Sequence, residues 1–451
     1  MKIKKQKENK TKNEKLKKHI NINFTIVAIV LIAIFCICVT PITLQNDTYY
    51  TIKIGELIKN NGIDMMDHFS WHENLSYTYP HWLYDLCTYF IYAIGGFKGI
   101  YIITCALSVI LGISIFLVNS KLTKNKSISF IITIGAIYVL KPYIAARAQL
   151  VTFILFIWEI FFIEKFIENR KIGYGIGLII ISVLIANLHV ATWPFFFVLF
   201  LPYIAEYLIS LISDIIIYKK DRELVIKYKI KVAQKKNNLE RVGELQTKLN
   251  ELEDKNIKIK AKREDENNSY KLIIKRKKNV KFLIIIMIIC AFTGLLTPIG
   301  DTPYTYLYKT MEGNTTESIS EHLPLTLINN NEAMCILVIF LAILIFTKVK
   351  IRLSDLFMIT GLCCLMFATR RQLSMLTLIG SVVLTRLIVE MIQIYTKNNG
   401  LKEFEEAFKH IGVVISLVVL IGIMGYDNIK PRLDDKFVDS KSYPVEACDY
   451  I

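Results

Sequence analysis

Residues 45–83, QNDTYYTIKIGELIKNNGIDMMDHFSWHENLSYTYPHWL, gather side chains that can move protons or bind cations. Asp64, Asp67, His68, His72 and Glu73 fall within ten residues, with Asp47 upstream and His81 downstream. Asp47 lies just past the first long apolar run. A carboxylate at a membrane–water boundary is partly desolvated, which favours its protonated form and suits it to general-base work near neutral pH. The same residue precedes TYYTIKIGEL and fits a helix N-cap equally well. His, Asp and Glu together suit a divalent metal, yet D-x-x-D-H and H-E match no particular metal spacing, so a solvated polar loop competes with a metal site. Asp67 stands out because Phe69, Ser70 and Trp71 would tie it to a membrane surface, with His68 beside it.

Cations and further polar residues recur later in the chain. Arg147 sits in AARAQLVTF and Arg370-Arg371 at the end of another apolar run. Arginine near lipid is costly and calls for a partner; its fork of donors matches phosphate, although snorkelling to headgroups would also satisfy it. His189 in NLHVATWP and Glu321-His322 are ambiguous singly. Taken together, these carboxylates, arginines and histidines collect on one face of the expected membrane.

That membrane follows from composition. Hydrophobic residues make up 53% of the 451 residues, and mean hydropathy is +0.42. Runs such as 22–40, 99–118 and 410–426 approach or exceed the roughly 20 residues that a helix needs to cross lipid. Only helices or closed barrels can cross, because lipid cannot satisfy an open backbone. The fold class expected is therefore an all-α polytopic membrane protein with about eleven transmembrane helices and a long outer first loop bearing interfacial helices. The net charge of +16 does not signal nucleic acid. With the N-terminus cytoplasmic and each run crossing once, 42 of the 55 Lys and Arg fall on inner segments and 12 on outer ones, as the positive-inside rule requires. The first run is read as a retained anchor, since it is longer than a signal core and no small-x-small site follows. The cysteines lie mostly within spans, without metal-type pairing, and read as small apolar packers.

The organisation follows in order: a basic cytosolic tail (1–20), a first membrane module (21–216) with the acidic outer loop (42–83), a charged cytosolic insert (217–281), a second membrane module (282–427) with an outer loop (299–331), and an outer tail (428–451). TYYTIKIGELIKNNG predicts a short interfacial helix closed by glycine, and HWLYDLCTYFIYAIGG a second one ending at a Gly pair. In the insert, Val242, Leu245, Leu249, Leu252, Asn256 and Ile259 keep a brief heptad spacing that suggests a helical hairpin.

Several motifs fall in a recognisable sequence: Asp47-Thr-Tyr-Tyr, Gly55-Glu-Leu-Ile58, Asp67-His-Phe-Ser70, Trp82-Leu83 leading to Gly95-Gly96, Arg147-Ala-Gln-Leu-Val-Thr152, Asn187-Leu-His189 and Ile319-Ser-Glu321-His-Leu-Pro324. In this order the chain resembles the GT-C superfamily of integral membrane glycosyltransferases, specifically a bacterial branch related to protein mannosyltransferase and lipid-A-modifying types. It departs in having Ala148 where such proteins often carry proline, His322 where they carry tryptophan, and the charged insert. KSYPVEACDYI resembles the opening of an outer soluble domain, so on this reading the chain is a shortened copy.

The resemblance implies inverting transfer of a sugar from a polyprenyl-phosphate donor to a lipid, glycan or protein acceptor, at the extracytoplasmic face of a bacterial cell membrane. It implies Asp47 as base and Asp67 in support. Arg147, Arg370 and Arg371 would hold the donor phosphate, with His68, His189 and Glu321 as secondary participants. A divalent Mg or Mn ion would ease departure of the phosphate, though the sequence does not require one. Membrane lipids are the other expected partners. A lipid-linked glycan polymerase or ligase, a polytopic transporter and a non-catalytic GT-C-like protein are the competing readings.

Overall fold

The computed structural model describes residues 23–218, 220–235, 237–266, 271–275, 277–312, 319–396, 400–439 and 443. The described residues are predominantly helical, with two strands of two residues each. Among the described residues four helices are long and apolar enough to cross a membrane: Trp82–Thr123, Val190–Ser213, Arg370–Tyr395 and Ile411–Arg432. Shorter apolar helices pack among them, including Phe24–Val39, Ile172–Leu188, Asn331–Phe346 and Leu353–Ala368.

Local sequence sets the helix ends. Helix α1 (Phe24–Val39) starts where Asn23 Oδ1 accepts from Thr25 N, and it ends at Thr40 before Pro41. Helix α2 (Asn46–Asn61) stops at Gly62, whose φ of 78° few other residues tolerate. Helix α3 (Trp82–Thr123) breaks at Gly96, with φ 58° and ψ −155°, so the aromatic-rich part before the Gly pair forms a separate arm. Helix α4 (Lys126–Leu140) is capped by Asn125, and a 3-10 turn at Lys141–Tyr143 leads towards α5 (Ala148–Asn169). Helix α6 (Ile172–Leu188) is joined through His189 and a turn at Val190–Thr192 to α7 (Trp193–Val198) and α8 (Leu201–Tyr218).

The charged insert forms α9 (Lys220–Lys235) and α10 (Leu239–Glu266), which pack on one another. Leu249, one of the heptad residues, is buried together with Ile230 and Ala233. A two-residue strand, β1 (Leu272–Ile273), then precedes α11 (Val280–Ala291). Next come α12 (Thr302–Glu312), α13 (Asn331–Phe346), strand β2 (Ile351–Arg352), α14 (Leu353–Ala368), α15 (Leu373–Tyr395), α16 (Gly400–Ala407) and α17 (Ile411–Ile429). β1 and β2 pair in parallel, Leu272 with Ile351 and Ile273 with Arg352.

Helix α15 is the most enclosed of the long helices and packs on α3, α4 and α14. The main hydrophobic core runs through α1, α3–α6 and α15, with Phe35, Phe116, Phe153 and Phe156 fully buried. Apolar helices around a shared apolar interior satisfy their backbones internally, as a lipid environment demands. Loop, helix α2 and the arm of α3 form a separate small core around Ile54, Ile58 and Tyr79.

Candidate functional site

Helix α2 delivers Asp47. The cap residue is Gln45, without a side-chain cap bond, so Asp47 occupies the first turn and is not the N-cap. Thr48, Thr51, Ile54 and Ile58 point inward and fix the helix against the arm of α3. Gly55 permits that approach: a Cβ there would lie 2.1 Å from the Asp85 carbonyl oxygen and 2.6 Å from Tyr89 Cβ. Thr48 Oγ1 donates to the Ala146 carbonyl at 3.3 Å and so holds α2 next to Arg147.

The result is a bridge between three distant parts of the chain. Arg147 Nη2 meets Asp47 Oδ2 at 2.9 Å, and Nη1 donates to Glu321 Oε1 at 3.2 Å. Arg147 Nε is buried without a partner. A cavity of about 250 Å³ opens beside it, lined by Gln45, Tyr143, Arg147, Gln149, Glu321, Arg370 and Arg371 among others. Arg370 accepts at its carbonyl from the Tyr143 hydroxyl (3.1 Å), and its backbone N–H donates to the Leu323 carbonyl (3.0 Å). Arg371 Nη2 reaches Gln149 Oε1 at 3.4 Å. Burial pushes the Tyr143 hydroxyl up to about 12, with the Glu321 charge adding to the effect and Arg371 opposing it. The phenol therefore stays a neutral donor. Three guanidinium groups against two carboxylates leave the site cationic, and an unpartnered buried N–H is a donor awaiting an acceptor. The chemistry favoured is capture of an anion that accepts several hydrogen bonds.

A smaller cavity of about 90 Å³ adjoins, sharing Gln149 and Arg371 and adding Thr152, Thr192 and Gln372. An apolar groove of about 490 Å³ runs between α4, α13 and α15, lined by residues such as Gly135, Val139, Ile336, Ile339 and Leu376. The polar cavity and the groove share their framework. Tyr143 follows α4 and Arg371 precedes α15, and the charge of Glu332, one of the groove's lining residues, adds slightly to the rise of the Tyr143 hydroxyl.

His189 ends α6. Its Nδ1 lies 2.9 Å from Thr152 Oγ1, which also donates to the Ala148 carbonyl at 3.0 Å. With its single proton committed, Thr152 must accept, which places a hydrogen on His189 Nδ1. The His189 ring is 5.9 Å from that of His81, whose Nδ1 contacts both oxygens of the fully buried Asp85 at 3.2 Å. Trp82 Nε1 donates to Asn187 Oδ1 (3.2 Å) and Val190 N to the Pro80 carbonyl (2.9 Å), stitching the first loop to the end of α6.

Asp67 and His68 are placed elsewhere. The Asp67 carboxylate accepts from Phe69 N (2.8 Å) in a local turn, and His68 Nε2 pairs with Asp64 Oδ2 (2.7 Å). Neither lines the arginine cavity. Asp64 also accepts from Met66 N and the Tyr79 hydroxyl. Burial alone would raise its carboxyl, but those donors and His68 outweigh it and hold it below the usual range. Among the described residues no group of three His, Cys, Asp or Glu side chains could hold a metal. Asp47 and Glu321, the carboxylates at the cavity, each give one oxygen to Arg147, so a divalent ion would sit beside a guanidinium with no third His, Cys, Asp or Glu ligand among the described residues. This donor set does not fit a metal.

Sequence reasoning missed the Asp85–His81 pair. It also missed a cluster at the opposite end of the bundle. There Arg352 Nη2 contacts Glu164 Oε1 and Asp355 Oδ1, both at 2.7 Å, while Arg386 Nη1 contacts Asp355 Oδ1 at 2.6 Å. Arg386 Nη2 reaches Glu164 Oε1 at 3.3 Å, and the Tyr203 hydroxyl donates to the same oxygen at 3.0 Å. Helices α5, α8, α14 and α15 meet there. Carboxylates near helix ends were the available signal, but they read equally as loop charges.

Compared with known protein families and with curated proteins, the chain matches none.

Proposed function

We propose that this protein is a GT-C-like membrane glycosyltransferase that moves a sugar from a polyprenyl-phosphate donor to an acceptor hydroxyl at the extracytoplasmic face. The observation that carries the reading is Arg147, held between Asp47 and Glu321 on the wall of a cavity that also receives Arg370 and Arg371. The apolar groove supports it, since a lipid-linked phosphate needs an oily surface for its chain as well as a cationic head site, and the helices α4 and α15 that line the groove lead to Tyr143 and Arg371. We read about eleven spans, a cytoplasmic N-terminus and a bacterial cell-membrane location, on hydropathy and the Lys/Arg distribution.

In the reaction the acceptor oxygen bonds to the anomeric carbon as the carbon–oxygen bond to phosphate breaks. The hydroxyl proton passes to Asp47, and polyprenyl phosphate leaves with the bonding pair. Only Oδ2 of Asp47 is paired with Arg147 and the side chain is 60% exposed, so the other oxygen is open to an acceptor. Arg147 and Arg371 stabilise the charge that grows on the departing phosphate. Arg370 and the Tyr143 hydroxyl help to shape the head site. His189 and Asp67 serve architecture on this reading, and no step passes through a metal.

The test is transfer from a panel of polyprenyl-phosphate sugars in reconstituted membranes, comparing native protein with Asp47→Asn. Loss of transfer with donor binding retained is the expected result. Equal transfer by both forms would remove Asp47 from the chemical step. Binding of donor phosphate by neither form would overturn the glycosyltransferase reading itself.

A further inference from the structure

A second cationic cavity, of about 400 Å³, lies at the end of the bundle opposite the arginine site. It is built where α1 and α4 both begin and where the segment after α16 passes. Its walls include Lys124, Lys126, Ser127, Glu405 and Lys409, and Phe24 forms part of its floor. Two helix N-termini face this region, capped by Asn23 and Asn125. Their first-turn amides are largely taken up by the caps and by Glu405, but the helix dipoles still favour negative charge there.

A helix start alone is a weak argument, and here three further observations point the same way. Ser127, in the first turn of α4, is 1% exposed, and its hydroxyl has no hydrogen-bond partner. Such an orphan is costly unless a ligand accepts from it. The charge is unbalanced, with three lysines against Glu405, whose Oε1 accepts from Lys126 N at 3.1 Å. Lys126 Nζ is spent on Thr25 Oγ1 at 2.8 Å, which leaves Lys124 and Lys409 as the cations available to a ligand. Finally, the floor is aromatic. The Phe24 ring packs edge-on to Phe130 at 5.6 Å and to Phe408 at 5.2 Å between centroids. The basic tail preceding Phe24 carries nine lysines and no arginine in residues 1–20, so it is the wrong charge to fill a cationic cavity.

We propose that this cavity binds a phosphate group, presented by the headgroup of an anionic phospholipid in the inner leaflet. The headgroup phosphate would take up the Lys124 and Lys409 ammonium groups and the Ser127 hydroxyl, and its glycerol would rest on the Phe24 side. Inner-leaflet placement rests on the orientation proposed above; the phosphate site itself does not. A soluble phosphate would present the same chemistry without the apolar part.

The experiment is native mass spectrometry of the full chain released from nanodiscs, scoring retained phosphatidylglycerol against phosphatidylcholine. The native protein is expected to retain phosphatidylglycerol preferentially. Lysine near an anionic headgroup is worth about fivefold each, so Lys124→Gln with Lys409→Gln should reduce that preference roughly 25-fold. Ser127→Ala should reduce it by about three- to tenfold. Ser127 has no internal partner, so its variant tests the site without removing a bond that holds the fold. Lys124→Arg with Lys409→Arg should restore retention. Displacement of the lipid by millimolar inorganic phosphate, lost in the glutamine variant, would assign the site to phosphate in general. Absence of any preference for phosphatidylglycerol, or a preference equal in native, glutamine and Ser127→Ala forms, would overturn the proposal.

Discussion

Replacing Arg147 by glutamine separates what this residue does for the fold from what it does for a phosphate. Asp47 and Glu321 are 60% and 47% exposed at their side chains. Ion pairs this open to solvent contribute about 0–1 kcal/mol each, because water screens them and the side chains lose freedom in pairing. Arg147 Nε has no partner to lose. Arg147→Gln should therefore lower the melting temperature by about 4 °C at most. At the cavity the balance is different. The substitution leaves Asp47 and Glu321 without the cation between them and withdraws a donor aimed at the departing phosphate. Loss of one such preorganised donor typically costs about 10²–10³ in turnover, or roughly 3–4 kcal/mol. Arg147→Lys keeps the charge but gathers its donors on one nitrogen and loses the planar fork whose separate ends meet Asp47 and Glu321, so it should fall between the two. The assay is turnover of a polyprenyl-phosphate sugar alongside thermal unfolding of the same preparations. Turnover of Arg147→Gln within a factor of three of native would refute the phosphate role. A drop in turnover that merely tracks lost folded protein would refute the separation of the two effects.

Two further perturbations probe how the site is held. Gly55→Ala places a Cβ 2.1 Å from the Asp85 carbonyl oxygen, so α2 must shift. We expect a cost of about 1–3 kcal/mol in thermal stability, together with reduced transfer as Asp47 moves; unchanged stability and transfer would show that the contact is slack. Asp64 predicts a pH dependence for the first loop. Its carboxyl is held below the ordinary value in the fold, so its contribution is fully present above that ordinary value, near 4, and is lost as pH falls through the lowered one. Limited proteolysis within 62–80 should be slow from pH 7 to 5 and accelerate below about pH 4, with Asp64→Asn removing that dependence.

The helical class was legible because lipid allows so few ways to pair a backbone, and the break of α3 was legible in the Gly95-Gly96 pair. Asp47, Arg147 and Glu321 were each singled out on their own residue types, but their meeting was not readable from spacing, since they lie 100 and 174 positions apart along the chain. Asp67 and His68 drew notice through local density of charge. Density of charge in a loop is also what short-range turns consume, and Asp67 binds the backbone two residues on. Asp85 escaped notice because one acid on an aromatic arm carries no periodic signal; only the fold shows it buried against His81. The β1–β2 pairing was hidden for the same reason: two apolar residues beside a charged insert are too few to read as a strand.

The Glu164–Arg352–Asp355–Arg386 cluster and the β1–β2 pairing sit side by side through Arg352. Lys271, just before β1, donates to the Leu344 and Ile345 carbonyls at the end of α13. Together they close one end of the bundle like a welded base plate. Prising that end open would strand charge away from water, at about 3–5 kcal/mol. Fewer than roughly one molecule in a hundred would be open there at any moment. Any passage at that point would have to part these pairs first. On this count the arginine cavity is reached at lower cost from the end where it opens than past the paired charges.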